Sequence, residues 1–180
     1  MNRFLVWICA LAGLADAAWA GLDVGEKAPN FTAPAVLAGK PFDFSLAASL
    51  AKGPVVLYFF PAAFSEGCSI EAHEFAEAAA QYQALGATLI GVSGDDIETL
   101  GKFSQAACQG RFPLASDEKM SVIKAYDAAM TTRPDYANRI SYVIAPDGSI
   151  VYSFLSLNPH KHVEKTLGAL REWGEAKARK

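Results

Sequence analysis

Cysteine, histidine and clustered charge are all scarce in this sequence. Three cysteines and three histidines stand among 180 residues. No Cys-x-x-Cys pair occurs, so dithiol exchange of the thioredoxin type lacks its usual reactive couple. Zinc-type Cys/His spacing is missing as well. No block of like charges appears, and 16 basic against 19 acidic residues give a net charge of -3. Nucleic-acid binding therefore has no electrostatic support. The nine prolines and 14 glycines follow no period, which excludes repeat and collagen-like architectures. What is present is a globular composition, 52% hydrophobic and 19% charged.

The first 20 residues read as a secretory signal. Arg3 supplies the positive start, Phe4 to Leu14 is an apolar run too short for a membrane span, and Ala18-Trp19-Ala20 offers small residues before a cleavage point at Gly21. The expectation is an exported chain, residues 21–180, folded as a single domain and free of the membrane once the signal is cleaved. Cys9 leaves with the signal, so Cys68 and Cys108 remain. An exported cysteine pair is commonly a structural disulfide. Closing a loop of about 40 residues would contribute about 4 kcal/mol.

Hydrophobic periodicity predicts one α/β domain. Residues 54–60 (PVVLYFF) form a continuous apolar run, the signature of a buried central strand. A helix is predicted over 65–85 and a second apolar strand over 87–93, a unit that makes the two strands parallel. Ile97, Leu100, Phe103 and Ala107 mark another helix ending near Gly110, and a further helix is expected over 116–129. Strands over 140–145 and 149–155 flank Pro146-Asp147-Gly148, a hairpin turn signal. A last helix begins at Pro159, with Val163, Leu167, Leu170 and Trp173 on one stripe. A mixed central sheet flanked by helices fits this order, and the thioredoxin fold is its simplest arrangement.

Chemistry concentrates where the first strand gives way to the helix, Pro61-Ala62-Ala63-Phe64-Ser65-Glu66-Gly67-Cys68. Reactive groups of open α/β sheets gather at such carboxyl ends of strands. Ser65 is placed as an N-cap, and Cys68 falls in the first helical turn. The positive helix end and its free N–H groups there stabilise a thiolate. The Ser65 hydroxyl is a potential donor to the sulfur or to a bound oxygen.

The spacing Pro61-x-x-x-Ser65-x-x-Cys68 resembles the active-site motif of the peroxiredoxins. So do Val24 to Phe31, the segment Phe112-Pro113-Leu114-Ala115-Ser116-Asp117, and Arg139 to Gly148. The pattern is most similar to the bacterioferritin-comigratory, or Q-type, group. Many of that group carry a second cysteine five residues after the first, where this chain has His73, so Cys108 is the only candidate resolving cysteine.

The resemblance implies a thioredoxin fold with a peroxiredoxin-type N-terminal extension and no cofactor or metal. It implies a peroxidase acting on hydrogen peroxide and organic hydroperoxides. Cys68 would be the peroxidatic residue, with Ser65, Arg139 and backbone N–H groups as donors and Pro61 shaping the pocket. Cys108 would resolve the Cys68 sulfenic acid as a disulfide, and an external thiol, a thioredoxin-like protein or a small molecule, would reduce that bond. Family habit also allows an acidic residue of the Cys68 helix, Glu71 or Glu74, to orient the arginine. Arg139 is favoured over Arg133, whose neighbour Pro134 places it in an extended loop. With the signal, the family group implies a bacterial periplasmic location, and the Q-type likeness a monomer. The alternatives are an exported thiol–disulfide oxidoreductase, a non-catalytic domain with a Cys68–Cys108 disulfide, and a metal-binding module using His160 and His162. The last pair reads more simply as two exposed residues at a helix start.

Overall fold

The apolar run at 54–60 builds the middle of the molecule. In the computed structural model, which describes residues 21–179, it forms strand β3 (Val55–Phe59), buried along its whole length. The expected signal segment lies outside the described residues. Side chains of β3 alternate between two cores. Val55, Leu57 and Phe59 enter the cluster on one face of the sheet, and Val56, Tyr58 and Phe60 the cluster on the other. A strand covered on both faces needs apolar residues at every position.

Among the described residues, seven strands form one mixed sheet in the order β2-β1-β5-β4-β3-β6-β7. They are β1 (Thr32–Leu37), β2 (Lys40–Ser45), β3, β4 (Thr88–Ser93), β5 (Leu114–Ser116), β6 (Ile140–Ile144) and β7 (Ile150–Leu155). β4 runs parallel to β3 and to β5. β6 lies antiparallel to β3 and to β7, the expected hairpin. Helices α2 (Glu66–Ala84), α3 (Ile97–Ala106) and α5 (His162–Ala178) supply the core on the Tyr58 face. The opposite core takes Leu46 from α1 (Leu46–Leu50) and Val122 and Ile123 from α4 (Ser121–Ala125). Gly91 of β4 makes room for the Tyr58 ring, since a Cβ there would stand 2.7 Å from its Cζ.

Two stretches differ from the sequence reading. The β1–β2 hairpin was hidden by Pro34 and Pro41, which usually argue against strands. β2 is an edge strand and β5 reaches only Ala35 and Val36 of β1, so both prolines are tolerated. The turn takes positive φ at Ala38 (50°) and Gly39 (76°), the geometry of a tight two-residue hairpin. The helix expected over 116–129 shrinks to α4, because Leu114–Ser116 is claimed by the sheet. Asp117 then accepts bonds from the Ser121 and Ile123 amides, which fixes where the helix can begin.

Candidate active site

Three features of the β3–α2 junction bring Cys68 to its place. The chain leaves β3 at the carboxyl end of the sheet. Phe64 then adopts φ 61°, a left-handed conformation unusual for a bulky residue, and turns the chain into α2. Asp95 ties the loop down: its carboxylate accepts the Ala63 amide at 2.7 Å and the Ser93 hydroxyl at 2.8 Å. Ser65 occupies the N-cap with extended backbone, but its hydroxyl makes no cap bond. It donates instead to the Ala62 carbonyl, 3.0 Å away, so the loop and not the sulfur holds this group. Pro61 is half-buried beside it. Sequence reasoning missed Asp95, because nothing local distinguishes it from the next acidic residue, Asp96, which caps α3.

Cys68 sits in the first turn of α2, 2% exposed. One turn further, Glu71 shares its helix face and is fully buried. Arg139, immediately before β6, meets both. Its Nη2 donates to Cys68 Sγ at 3.4 Å, and its Nη1 donates to Glu71 Oε2. Gly67 permits the approach, since a Cβ there would lie 3.0 Å from Arg139 Nη2. Burial works against the arginine's charge, but Glu71 and Cys68 outweigh it and hold the guanidinium above its ordinary pKa. Burial pushes the Glu71 carboxyl up to about 8, against the pull of Arg139. Of the two acidic candidates, Glu71 therefore orients the arginine. Glu74 turns to His160, 2.5 Å away. Arg133 stays in its exposed loop, 4.0 Å over the Tyr136 ring, and does not enter the site.

This is a thiol at a helix N-terminus, within reach of a fixed cation in a dry setting. Such an arrangement stabilises negative charge on sulfur, and the same donors serve an oxygen that gains charge as the sulfur loses it.

A comparison with known proteins places the chain. Residues 24–153 match the model of the AhpC/TSA family. The chain belongs to that family. Peroxiredoxin Q of rice chloroplasts (Oryza sativa subsp. japonica) is 32% identical over 151 residues, 82% of this chain and 66% of the rice protein, just under two thirds of its length. A protein of Mycobacterium tuberculosis strain H37Rv, named as a peroxiredoxin, is 32% identical over 151 residues, covering 80% of this chain and 92% of its own. Among solved structures, peroxidoxin BcpB of Mycobacterium tuberculosis superposes with a TM-score of 0.74 at 27% identity, over 83% of this chain and 96% of that one. Xanthomonas campestris peroxiredoxin Q does so with a TM-score of 0.67 at 26% identity, over 77% and 89%. The fold expected from the family, a mixed sheet in a thioredoxin-type arrangement, is the one observed.

For a peroxiredoxin-family chain, the second cysteine is the next question. Cys108 lies just past α3, fully buried, in the same apolar cluster as Cys68. Both carry free thiols. Burial pushes the Cys108 thiol up to about 12, so it is held protonated. Tyr58 stands near both sulfurs. Burial and the neighbouring Cys108, Glu71 and Cys68 raise its phenol well above the ordinary value. The chain after Cys108 is fastened to α2, with Gln109 Nε2 3.2 Å from His73 Nδ1 and 3.5 Å from Glu77 Oε1.

Proposed function

We propose that this protein is a thiol-dependent peroxidase for hydrogen peroxide and organic hydroperoxides. The Cys68 thiolate attacks the O–O bond of the substrate. A sulfur–oxygen bond forms, the O–O bond breaks, and its electron pair leaves on the distal oxygen, which takes a proton and departs as water or alcohol. Cys68 becomes a sulfenic acid. The single observation that carries this reading is the Arg139 guanidinium, donating at once to Cys68 Sγ and to buried Glu71. Arg139 and the amides of the first helical turn receive the developing charge. Ser65 turns its hydroxyl from the Ala62 carbonyl to the substrate oxygen, and Pro61 shields the pocket.

Cys108 then condenses with the sulfenic acid, losing water and forming a disulfide. Because Cys108 is buried and fastened through Gln109 to α2, this step requires local opening of the chain after α3. A thioredoxin-like protein or a small thiol reduces the bond. It attacks the Cys108 sulfur and expels Cys68, whose helix N-terminus and arginine favour the departing thiolate. We place the reaction in a bacterial periplasm, after removal of residues 1–20, and expect a monomer. One structural neighbour, a Plasmodium yoelii protein modified at its N-terminus, forms an artifactual octamer, so sedimentation velocity is the measurement that decides the assembly.

The test is intact mass and peptide mapping of pre-reduced protein after one equivalent of hydrogen peroxide, for wild type and Cys108→Ser. A Cys68–Cys108 link in wild type, with sulfenic acid on Cys68 in the variant, is the expected result. Sulfenic acid in both makes an outside thiol the resolver. No reaction at Cys68 overturns the peroxidase.

A further inference from the structure

Residues 61–65 carry the chain from β3 into α2. Among the described residues, one hydrogen bond ties this loop to a segment other than the strand and helix it connects: the Ala63 amide donates to Asp95 Oδ2 at 2.7 Å. Pro61 has no N–H to give, and the Ser65 hydroxyl turns back on the Ala62 carbonyl. The next backbone bonds lie at the two ends, from the Phe60 amide to the Val92 carbonyl at 3.1 Å and from the Ser69 amide to the Ser65 carbonyl at 2.9 Å. Inside the loop, Phe64 is held at φ 61°, a costly conformation for a bulky residue. Its ring is 54% exposed and leans edge-on against Phe103, centroids 5.2 Å apart.

Asp95 itself is fixed. Its Oδ2 also accepts the Ser93 hydroxyl at 2.8 Å, and that hydroxyl oxygen accepts the Asp95 amide at 3.3 Å. The Asp95 carbonyl accepts the Ser116 hydroxyl at 2.7 Å. Ser93 and Ser116 are buried last residues of β4 and β5, so two strands of the sheet set where this carboxylate stands. It is not spent on capping α3, which Asp96 does through the Thr99 amide and hydroxyl. A rigid anchor thus meets a strained, half-exposed loop at a single amide.

We propose that Asp95 is a positioning residue that latches the active-site loop: closed, it holds Cys68 against Arg139 for the peroxide; released, it lets Cys68 move off to meet Cys108. This rests on the peroxidase reading and on Cys108 as the resolving residue. The two steps ask opposite things of the loop. Oxidation needs Cys68 Sγ in reach of Arg139 Nη2, as at the 3.4 Å observed. Disulfide formation needs the oxidised sulfur to leave that place, because Cys108 is buried past the far end of α3. There the Cys108 sulfur supplies the electron pair of the new S–S bond. The S–O bond of the sulfenic acid breaks, and its oxygen leaves as water with the thiol proton. A latch of one hydrogen bond keeps the open form scarce without forbidding it.

The experiment mixes pre-reduced protein with one equivalent of hydrogen peroxide and follows both steps by rapid quenching and mass, for wild type, Asp95→Ala and Asp95→Asn. Alanine removes the acceptor; asparagine keeps an oxygen for the Ala63 amide. Asp95→Ala should form the Cys68–Cys108 disulfide about tenfold faster, the factor of one hydrogen bond to a charged group. Its first oxidation should slow only about twofold, by the closed fraction lost. Asp95→Asn should return both rates most of the way. A folded Asp95→Ala with both rates unchanged, or both moved in the same direction, overturns the proposal. So does an asparagine variant no nearer wild type than alanine. If Asp95→Ala does not fold, amide exchange in the wild type decides. The Ala63 amide should be protected in the reduced protein and lose that protection in the disulfide form, while the sulfenic form of Cys108→Ser keeps it. An Ala63 amide unprotected at the start, or still protected in the disulfide form, overturns the latch. Failure of the underlying reading looks different and takes the latch with it: wild-type Cys68 then does not react, or reacts and forms no link to Cys108.

Discussion

Cys68 and Cys108 share one face of the sheet and one apolar cluster, yet their thiols meet opposite surroundings. Cys68 lies in the first turn of α2 with Arg139 donating to its sulfur. Cys108 lies past the far end of α3, and burial alone raises its thiol to about 12. Both are nearly inaccessible, 2% and 0% exposed, so burial does not separate them. The difference comes from what the sulfur touches: a fixed cation and unpaired N–H groups on one side, only packing on the other. The same residue type is thereby set beside a fixed cation in one place and packed as a protonated thiol in the other.

The largest expected effect tests that division directly. Cys68→Ser should reduce peroxide consumption at least about a thousandfold, because no other thiol among the described residues has a cation beside it. Cys108→Ser should leave the first oxidation at the wild-type rate and stop the protein at the sulfenic acid. Both are read by peroxide loss against time and by mass of the product. A Cys108→Ser variant that no longer reacts with peroxide would break the comparison. Next in size is Arg139→Gln. Removing one fixed donor from a dry site costs about a hundredfold to a thousandfold in rate. It also strands the buried Glu71, so the variant should melt at lower temperature than wild type. Its rate is read on protein kept below that temperature.

The half of this comparison around Cys68 was largely legible in the sequence. The strand, the turn and the helix start are local signals, and the family motif lies along them. Arg139 could be chosen over Arg133 because Pro134 disfavours helical backbone at its neighbour, and Arg133 lies in an exposed loop. Glu71 was legible as one of two acids on the cysteine helix, and only the structure separates it from Glu74. His162 was not legible. His160-Lys161-His162 reads as an exposed pair, but a 3-10 turn at Pro159–Lys161 precedes the helix and rotates His160 outward and His162 inward. The fully buried stripe of α5 is accordingly His162, Thr166, Leu167 and Leu170, with the expected Val163 partly buried against the same core, whereas the expected Trp173 is only half-buried. Polar residues that satisfy each other inside, such as Thr166 Oγ1 at 2.7 Å from the Tyr82 hydroxyl, are invisible to a hydrophobic pattern. The short β5 was missed for a related reason, since three residues between two partners carry no periodicity.

A smaller effect sharpens the Cys108 half through stability. The folded protein holds this thiol at about 12, above its ordinary 9.0. The unfolded chain therefore loses the proton first as pH rises. The contribution of Cys108 to stability is complete below about pH 9 and is lost as pH climbs toward the folded value. Urea unfolding at about pH 8 and about pH 10.5 should show a decline in wild type that is shallower in Cys108→Ser. Parallel declines would mean that the thiol is not held in its protonated form.

The smallest effect concerns the fastening of Cys108. Gln109 reaches across to His73 and Glu77 of α2 through exposed contacts of 3.2 and 3.5 Å. Exposed polar contacts of this kind are worth on the order of 1 kcal/mol or less. Gln109 also has φ 52° and precedes Gly110 at 63°, two left-handed residues in succession where the helix has already ended. The segment is held by the Gln109 side chain, by the packing of Cys108, and by backbone bonds such as Gly110 N–H to the Ser104 carbonyl at 2.9 Å. Gln109→Ala removes the first restraint and leaves the others. The opening that lets Cys108 reach the Cys68 sulfenic acid should become two- to fivefold more frequent, the factor expected for about 0.5–1 kcal/mol. Disulfide formation after a single pulse of peroxide should speed up by that factor, while the rate of the first oxidation stays at the wild-type value. If Gln109→Ala changes neither rate, packing and the backbone bonds past α3 restrain Cys108, and the exposed Gln109 contacts add nothing to the contrast between the two cysteines.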